Sequence, residues 1–183
     1  MVAWIFLGIV ILVALWAIAI FNRLVKNRNL VLEGWSGIDV QLKRRYDLIP
    51  NLVETVKGYA GHEKEVLAKV VELRNSAAKA QTAGEKAPIE NMLTQTLRQL
   101  FALAEAYPDL KANQNFLDLQ GQLSEIEEQI QFARRYYNGT ARDMNILVQS
   151  FPSNVVARSF GFTEAEYFEI ELATEREAPK VSF

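Results

Sequence analysis

Few residues of this chain have the type and spacing that chemistry requires, and the single histidine is the first of them. His62 precedes Glu63 as in an HExxH zinc site, but the second histidine of that motif is absent. The chain also lacks the Glu-x-x-His pair that binds iron in helical bundles, and it has no cysteine to act as nucleophile or zinc ligand. We therefore interpret His62 as a surface or helix-capping residue and expect neither a metal nor another cofactor.

Glu105 and Asp109 lie four residues apart, a spacing at which two carboxylates can share one helix face. Pro108 interrupts the helix between them, and a glycosidase-type pair needs a cleft that a tight bundle does not offer. The sequence has no glycine-rich phosphate loop and no nucleophile elbow. These patterns predict a protein that is not an enzyme. The least favoured alternative is an enzyme that uses buried carboxylates with a metal.

Several charged residues lie beside apolar positions and are therefore candidates for burial. They are Asp39 next to Ile38, Arg45 and Asp47 on either side of Tyr46, and Arg134 and Arg135 before Tyr136 and Tyr137. A buried charge needs a partner, so we expect Arg–Asp or Arg–Glu ion pairs inside a helical bundle. The alternative is a binding site, because functional sites and structural ion-pair networks perturb charged groups alike.

The elements that carry these residues begin with an apolar segment. Residues 1–21 contain no charged side chain, and a helix of this length measures about 31 Å, close to the hydrocarbon thickness of a bilayer. The segment predicts an uncleaved transmembrane anchor; the alternative is a cleaved signal peptide, since Ala17-Ile18-Ala19 loosely fits a cleavage site. Arg23, Lys26 and Arg28 follow it, so we expect the N-terminus outside and the folded part in the cytoplasm.

Apolar residues then recur at helical spacing from Leu24 to Ala77. This first stretch passes Pro50, where we expect a kink rather than a reversal. Gly58 and Gly61 are further weak points, and residues 75–84 have the composition of a helix end followed by a loop.

Two more helical stretches follow. The second opens near Pro88 and ends at Pro108. The third, residues 111–150, has a repeat of about 3.5 residues, which is typical of the seam of a coiled coil or straight bundle. Its seam positions are Phe116, Leu119, Leu123, Ile126, Ile130, Ala133, Tyr137, Thr140, Met144, Leu147 and Phe151.

The C-terminal tail changes period, because Phe168, Ile170 and Leu172 alternate with glutamates. We interpret residues 166–173 as a short strand that pairs with or packs onto a neighbouring subunit. Two alternatives stay open: the strand lies on its own bundle, or a short amphipathic helix follows the Thr-x-x-Glu pattern at Thr163. Residues 174–183 have the composition of a disordered segment.

These elements predict an all-α fold, in which an N-terminal transmembrane helix continues into an elongated antiparallel bundle of three to four long helices with a short extended C-terminal tail. We divide the chain into an anchor at 1–21, a helical bundle at 22–155 and a tail at 156–183. Residues 22–60 carry seven Lys and Arg against four Asp and Glu, so the basic end lies beside the membrane, where anionic headgroups attract it. The charge pattern does not predict nucleic-acid binding.

Three segments of the chain resemble the LemA family. They are DVQLKRRYDLIPNLVETVKGYAGHE at 39–63, EAYPDLKANQNF at 105–116 and ARRYYNGTARDMN at 133–145. With the apolar segment, the resemblance covers roughly residues 1–170. It implies a structural role for the positions that match the family's motifs, which are Asp39, Arg45, Asp47, Pro50, Asn51, Glu63, Glu105, Tyr107, Pro108, Asn113, Phe116, Arg134, Tyr137, Asn138 and Pro152.

The resemblance implies a single-pass bacterial membrane protein with a helical cytoplasmic domain and no established catalytic role. Members of the family are similar to a magnetosome-associated protein and are often encoded near membrane zinc proteases. We therefore expect a membrane-anchored, non-enzymatic scaffold of the bacterial cell envelope, whose partners are the lipid bilayer and further copies of itself rather than nucleic acid. The alternative is an accessory or regulatory subunit of a membrane protease or sensor system.

Overall fold

The computed structural model describes residues 1–60 and 63–169, and over this part of the chain the protein is all helical, as the periodicity predicts. Within it, the long helices are α1 (Val2–Lys57), α2 (Lys64–Lys79), α3 (Ala83–Ala104) and, after the short α4 (Pro108–Lys111), α5 (Gln114–Gln149); a short α6 (Ser153–Ser159) follows. His62 and the predicted strand and tail beyond Glu169 lie outside the described residues.

Helix α1 continues through Pro50 without reversing, in agreement with the sequence prediction. Proline has no amide hydrogen, so the carbonyl oxygen of Tyr46 lacks its helical donor. The Nε of Arg74 on α2 donates to this oxygen at 3.3 Å. A side chain from a second helix thereby satisfies the backbone group that Pro50 leaves open, and α1 extends to Lys57.

The first stretch of helical spacing is divided between two helices, α1 and α2. The sequence indicated this break only through the weak points at Gly58 and Gly61. Helix α1 ends directly before Gly58, a poor helix former. The amide of Ala60 still donates to the carbonyl oxygen of Val56 at 2.8 Å, and α2 begins at Lys64. Ala60 and Leu67 are both buried, so the apolar spacing continues across the break. For this reason the spacing alone does not show where α1 ends.

Helix α3 begins at Ala83, so the predicted start near Pro88 is wrong. A capping box sets the earlier start: the Thr82 hydroxyl accepts a hydrogen bond from the Glu85 amide at 3.3 Å, and the Glu85 carboxylate accepts one from the Thr82 amide at 3.4 Å. Pro88 therefore lies inside the helix. The Thr-x-x-Glu pattern is present in the sequence at Thr82–Glu85. The small and polar residues before it have the composition of a loop, and they favoured the later start.

The chain divides into two compact units. The first contains Met1–Ile38 and Ala133–Tyr167, with a core cluster of Leu24, Met144, Leu147, Val156, Ala157 and Phe162. The second contains Asp39–Phe132 and, from the described tail, Phe168 and Glu169. In the second unit, α2 packs against α3, and the core includes Leu42, Ile49, Leu52, Val56, Val70, Leu93, Leu100, Leu110, Phe116 and Ile130.

Most of the seam positions predicted on α5 are buried, each within its own unit. Phe116, Leu123, Ile126 and Ile130 are buried in the second unit, and Tyr137, Thr140, Met144 and Leu147 in the first. Leu119 and Ala133 are half-buried, whereas Phe151, beyond the end of α5, is 82% exposed. The seam thus packs the helices of one chain, and a coiled coil between chains stays a prediction.

The strand predicted at 166–173 is not formed over its described part, residues 166–169, and no helix follows Thr163 up to Glu169. In a strand, the backbone groups of this segment would bind the backbone of a neighbouring strand. Here two of its carbonyl oxygens accept hydrogen bonds from side chains instead. The carbonyl oxygen of Glu166 accepts a hydrogen bond from the Tyr137 hydroxyl at 2.8 Å in the first unit. In the second unit, Glu169 accepts one from Asn91 at 3.3 Å. These backbone groups are therefore used within the chain.

Candidate functional site

A buried charged network in the second unit is centred on Arg45 of α1. Its guanidinium is 1% exposed, and it lies among residues of α3 and α5. Helical spacing puts Arg45 on the face that also buries Leu42, Ile49 and Leu52, so the side chain has no route to solvent along its own helix. The burial predicted from its position beside Tyr46 is therefore present.

Two carboxylates neutralise this guanidinium. Its Nη1 donates to the Glu127 carboxylate of α5 at 2.7 Å and to the Thr94 hydroxyl of α3 at 2.9 Å. Its Nη2 forms an ion pair with Glu90 of α3, whose side chain is 0% exposed. The neighbouring Tyr46 hydroxyl also donates to Glu90. The network, defined as Arg45, Tyr46, Glu90, Thr94 and Glu127, thus joins three helices through one positive charge.

We expect the network to fix the helical register of the second unit. Removing one member of a buried ion pair leaves an uncompensated charge, which costs about 3–5 kcal/mol, whereas the intact pair contributes little net stability. A rotated or shifted α3 would separate Glu90 from Arg45 and incur that cost. We therefore expect the ion pairs to favour this packing of α3 over rotated or shifted ones.

Glu127 has access to solvent, because its side chain is 25% exposed. With Thr94 it lines a groove of about 310 Å³ between α3 and α5, together with Leu97, Arg98, Phe101, Gln120, Leu123 and Ser124. Ligand pockets occupy about 300–1,000 Å³, so this groove is at the lower limit. Both Glu127 oxygens already accept hydrogen bonds, one from Arg45 and one from Gln131 at 3.0 Å. Both carboxylate oxygens are therefore engaged by neighbouring side chains.

Other motif residues of the second unit join loops and helix ends. Asp39 forms an ion pair with Lys86 of α3 at 2.8 Å, although the Asp39 side chain is 57% exposed. Asn113 precedes α5 and accepts a hydrogen bond from the Phe116 amide at 3.0 Å, while its amide group donates to the Tyr59 hydroxyl at 3.0 Å. Phe116 is buried and lies edge-on to Phe101.

Glu105 and Asp109, the spacing that suggested acid–base chemistry, lie on either side of the break at Tyr107–Pro108. Glu105 is exposed and forms an ion pair with Lys111. Pro108 occupies the first turn of α4, as its missing amide allows. The structure therefore gives Glu105 a surface partner rather than Asp109.

The Tyr107 hydroxyl donates to the Glu63 carboxylate at 3.1 Å and ties the segment before α4 to the segment before α2. Burial raises the pKa of Tyr107, and the hydrogen bond to Glu63 and its negative charge raise it further. Asp47 and Asn51 are exposed on α1, and the Asn51 carbonyl oxygen accepts from Thr55 at 2.8 Å. These contacts connect elements of the unit and leave Asp47 as a solvent-facing carboxylate.

The first unit contains the remaining motif residues. Arg134 is 2% exposed, Asn138 is half-buried and Pro152 precedes α6. Arg135 is exposed, although its position beside Tyr136 suggested burial. Tyr137 stacks at a tilt against Trp35, with ring centroids 5.6 Å apart. Burial raises the pKa of Tyr137, and the nearby negative charge of Glu166 raises it further.

Gly34 allows α1 and α5 to approach closely at Tyr137. A Cβ added at Gly34 would lie 3.1 Å from the Tyr137 Cα and 3.4 Å from the Thr140 hydroxyl. Since the first of these atoms belongs to a helix backbone, an alanine at 34 would require the two helices to shift by a few tenths of an ångström. Gly34 thus permits the close approach of the helices beside the Trp35–Tyr137 contact, although it is not among the motif positions.

Sequence reasoning missed Glu90, Thr94, Glu127 and Lys86, which supply the partners of Arg45 and Asp39. A signal was available for two of them: Lys86, Glu90, Leu93, Leu97 and Leu100 share the spacing of one helical face, so Lys86 and Glu90 fall in the apolar stripe of α3. Among the described residues, no group of three or more His, Asp or Glu side chains has the arrangement that holds a metal ion.

The LemA family model matches residues 34–183 of the chain. Protein LemA of Metamycoplasma hominis is 26% identical over 150 residues, which cover 81% of this chain and 68% of that protein. Magnetosome protein MamQ 2 of Paramagnetospirillum magneticum is 26% identical over 163 residues, and these cover 73% of this chain and 59% of that protein. Magnetosome protein MamQ of Magnetospirillum gryphiswaldense is 22% identical over 162 residues, with coverage of 73% and 58%.

The chain thus spans about three fifths of the length of the two magnetosome relatives. Within the described residues, α1 is long and apolar enough to cross a membrane, and its apolar window is entirely unburied. The exposed apolar helix and these relatives together indicate a membrane-associated protein.

Proposed function

Since this chain belongs to the LemA family, we propose that it is a membrane-anchored, non-enzymatic scaffold of the bacterial cell envelope that assembles with copies of itself. The observation that carries the proposal is the course of α1. One uninterrupted helix contains both the exposed apolar residues 1–16 and the buried Arg45 that binds α3 and α5. The anchor and the helix-joining charge therefore belong to the same element.

The use of the polar motif residues supports a structural rather than catalytic role. Arg45, Asn113 and Tyr137 each hold a helix or a terminal segment in position through hydrogen bonds of 2.7–3.0 Å. Catalytic groups instead have to face a space in which a substrate fits. The groove beside Glu127 offers a carboxylate that is already bound on both oxygens.

Apolar side chains that stay exposed outside the span support self-assembly. In the first unit, Leu32 of α1 is 60% exposed, and Tyr136 and Ile146 of α5 are 48% and 51% exposed. Aromatic residues such as Tyr136 are enriched at protein interfaces, and the apolar share of an interface is highest in its buried centre. Arg23, Lys26 and Arg28 after the apolar segment support an orientation with the N-terminus outside and the helical units in the cytoplasm.

The test is the mass of the full-length protein in mild detergent, measured by light scattering after size exclusion at micromolar concentration. We expect a particle several times heavier than one chain plus its micelle. Ile146→Glu should reduce that mass, whereas Gln149→Glu, an exposed polar position at the end of α5, should not. A monomer for the wild-type protein contradicts the proposal, and crosslinks from cells dominated by a foreign membrane protease or sensor would favour the accessory-subunit alternative.

A further inference from the structure

Helix α6 lies beside the last turn of the apolar span. The aromatic ring of Phe160, directly after α6, contacts Phe21 edge-on with centroids 4.9 Å apart, and Phe162 contacts the same ring at 5.7 Å. Ala17 and Ile20 are half-buried against the cluster that includes Val156 and Ala157 of α6, whereas residues 1–16 are all exposed. From Ala17 to Phe21 the helix rises only about 6 Å, so α6 sits at the level where the span ends.

Three large apolar residues are exposed on or directly beside α6. Phe151 is 82% exposed, Val155 56% and Phe160 63%, while Val156 and Ala157 on the opposite side are buried. Single exposed apolar residues are normal on protein surfaces. Here three of them lie on or directly beside a helix of seven residues, and one of the three, Phe160, contacts Phe21 at the end of the exposed span.

The charges around this surface are positive. Arg158 is exposed on α6, Arg23 and Lys26 are exposed one turn beyond the span, and residues 150–163 contain no Asp or Glu. Basic side chains beside an apolar helix face favour anionic headgroups.

We propose that Phe151, Val155 and Phe160 form a second membrane contact, an interfacial surface that inserts into the headgroup–acyl boundary beside the span while Arg158 binds lipid phosphate. The depth agrees with this, since interfacial helices bury their apolar face about 5–10 Å into that boundary. The inference rests on the insertion of α1 as part of the proposed function, and it adds lipid as the partner of α6. The surface would fix the folded chain against the bilayer plane instead of leaving it on a single tether.

The chain has no native cysteine, so single nitroxide labels can report depth in the full-length protein. Val155→Cys and Phe160→Cys are labelled and reconstituted into phosphatidylcholine–phosphatidylglycerol vesicles, and collision rates with oxygen and with a water-soluble nickel chelate are measured. Leu12→Cys in the span is the lipid control, and Leu117→Cys, 43% exposed in the second unit, is the water control. Val155 is outside the core cluster, so its variant tests the surface even if Phe160→Cys weakens the contact with Phe21.

We expect the labels at 155 and 160 to shift toward oxygen collisions, as at 12, and to differ in this from the label at 117. Nickel collisions at 155 and 160 equal to those at 117, with position 12 in lipid, would overturn this inference and leave the anchor intact. Shielding of 155 and 160 from both reagents, with spin–spin broadening, would show that a second copy covers the surface and would also overturn it. Nickel access at 12 would overturn the anchor itself.

Discussion

Replacing Glu90 by glutamine tests the role of the buried network most directly. The substitution keeps an amide oxygen for the Tyr46 hydroxyl but removes the charge beside the Arg45 guanidinium, which is 1% exposed. Breaking a buried ion pair costs about 3–5 kcal/mol. We expect the lower end, about 3 kcal/mol, because Glu127 at 2.7 Å and Thr94 at 2.9 Å still bind Arg45. For a chain of this size that loss lowers the melting temperature by roughly 6–12 °C.

The measurement is a double-mutant cycle on the full-length protein in mild detergent, with urea unfolding followed by circular dichroism. Arg45→Met alone leaves Glu90 buried without its cation and should cost at least as much as Glu90→Gln. The double variant Arg45→Met/Glu90→Gln should lose less than the sum of the two single losses, by about 2 kcal/mol, because the carboxylate that it leaves without Arg45, that of Glu127, is 25% exposed and can be solvated. Arg44→Met is the control, since Arg44 is exposed and donates only to Gln41 of its own helix.

Two results would refute this reasoning. The first is a loss for Glu90→Gln no larger than that of Arg44→Met, which should stay within about 0.5 kcal/mol. The second is additivity, in which the double variant loses the full sum of the single variants. Either result would mean that Glu127 and solvent are enough to compensate Arg45, and Glu90 would then not fix the register of α3 against α1.

Three further predictions concern single contacts, each measured by the same unfolding assay. Pro50→Ala should stabilise the protein by about 2 kcal/mol, because the new amide can bind the Tyr46 carbonyl oxygen, and Arg74→Ala should then cost less than in the wild-type background. Asn145→Ala should cost about 2 kcal/mol and accelerate hydrogen exchange at the Ala165 amide, since Asn145 binds that residue's amide at 2.7 Å and its carbonyl oxygen at 3.0 Å; unchanged exchange would contradict the contact. Tyr137→Phe should cost about 1 kcal/mol at neutral pH. Because the folded-state pKa of Tyr137 is raised above its ordinary 10.0, the unfolding free energy should fall as the pH rises above that value, and less steeply in the Tyr137→Phe variant.

The helical class and the apolar N-terminal helix could be predicted from the sequence because both depend on residues close together in the chain. The uncharged residues 1–21 and the seam of α5 are local patterns, and the structure has a helix in each place. Asn113 and Pro108 likewise act within one turn of their own positions, at the starts of α5 and α4. The error at Pro88 was also local, because the capping box at Thr82 starts α3 within residues whose composition is that of a loop. The weak point predicted at Gly58 is where α1 ends.

The partners of the charged residues could not be predicted in the same way. The sequence indicated that Arg45 would need an acidic partner, but Glu90 and Glu127 lie on two other helices, and many glutamates in the chain satisfy the same requirement. Which of them meets Arg45 depends on how α3 and α5 pack, and packing is settled by the shapes of the buried side chains together.

By itself, the sequence determined an apolar N-terminal helix, the helical character of the rest and the absence of thiol chemistry. Tertiary structure alone decided that Glu90 and Glu127 neutralise Arg45, that Tyr137 and Asn145 bind the backbone at 165–166, and that Phe160 rests against Phe21. The physical reason is range. A helix forms from interactions within four residues, whereas an ion pair or a ring contact between helices requires the whole unit to fold before its two members meet.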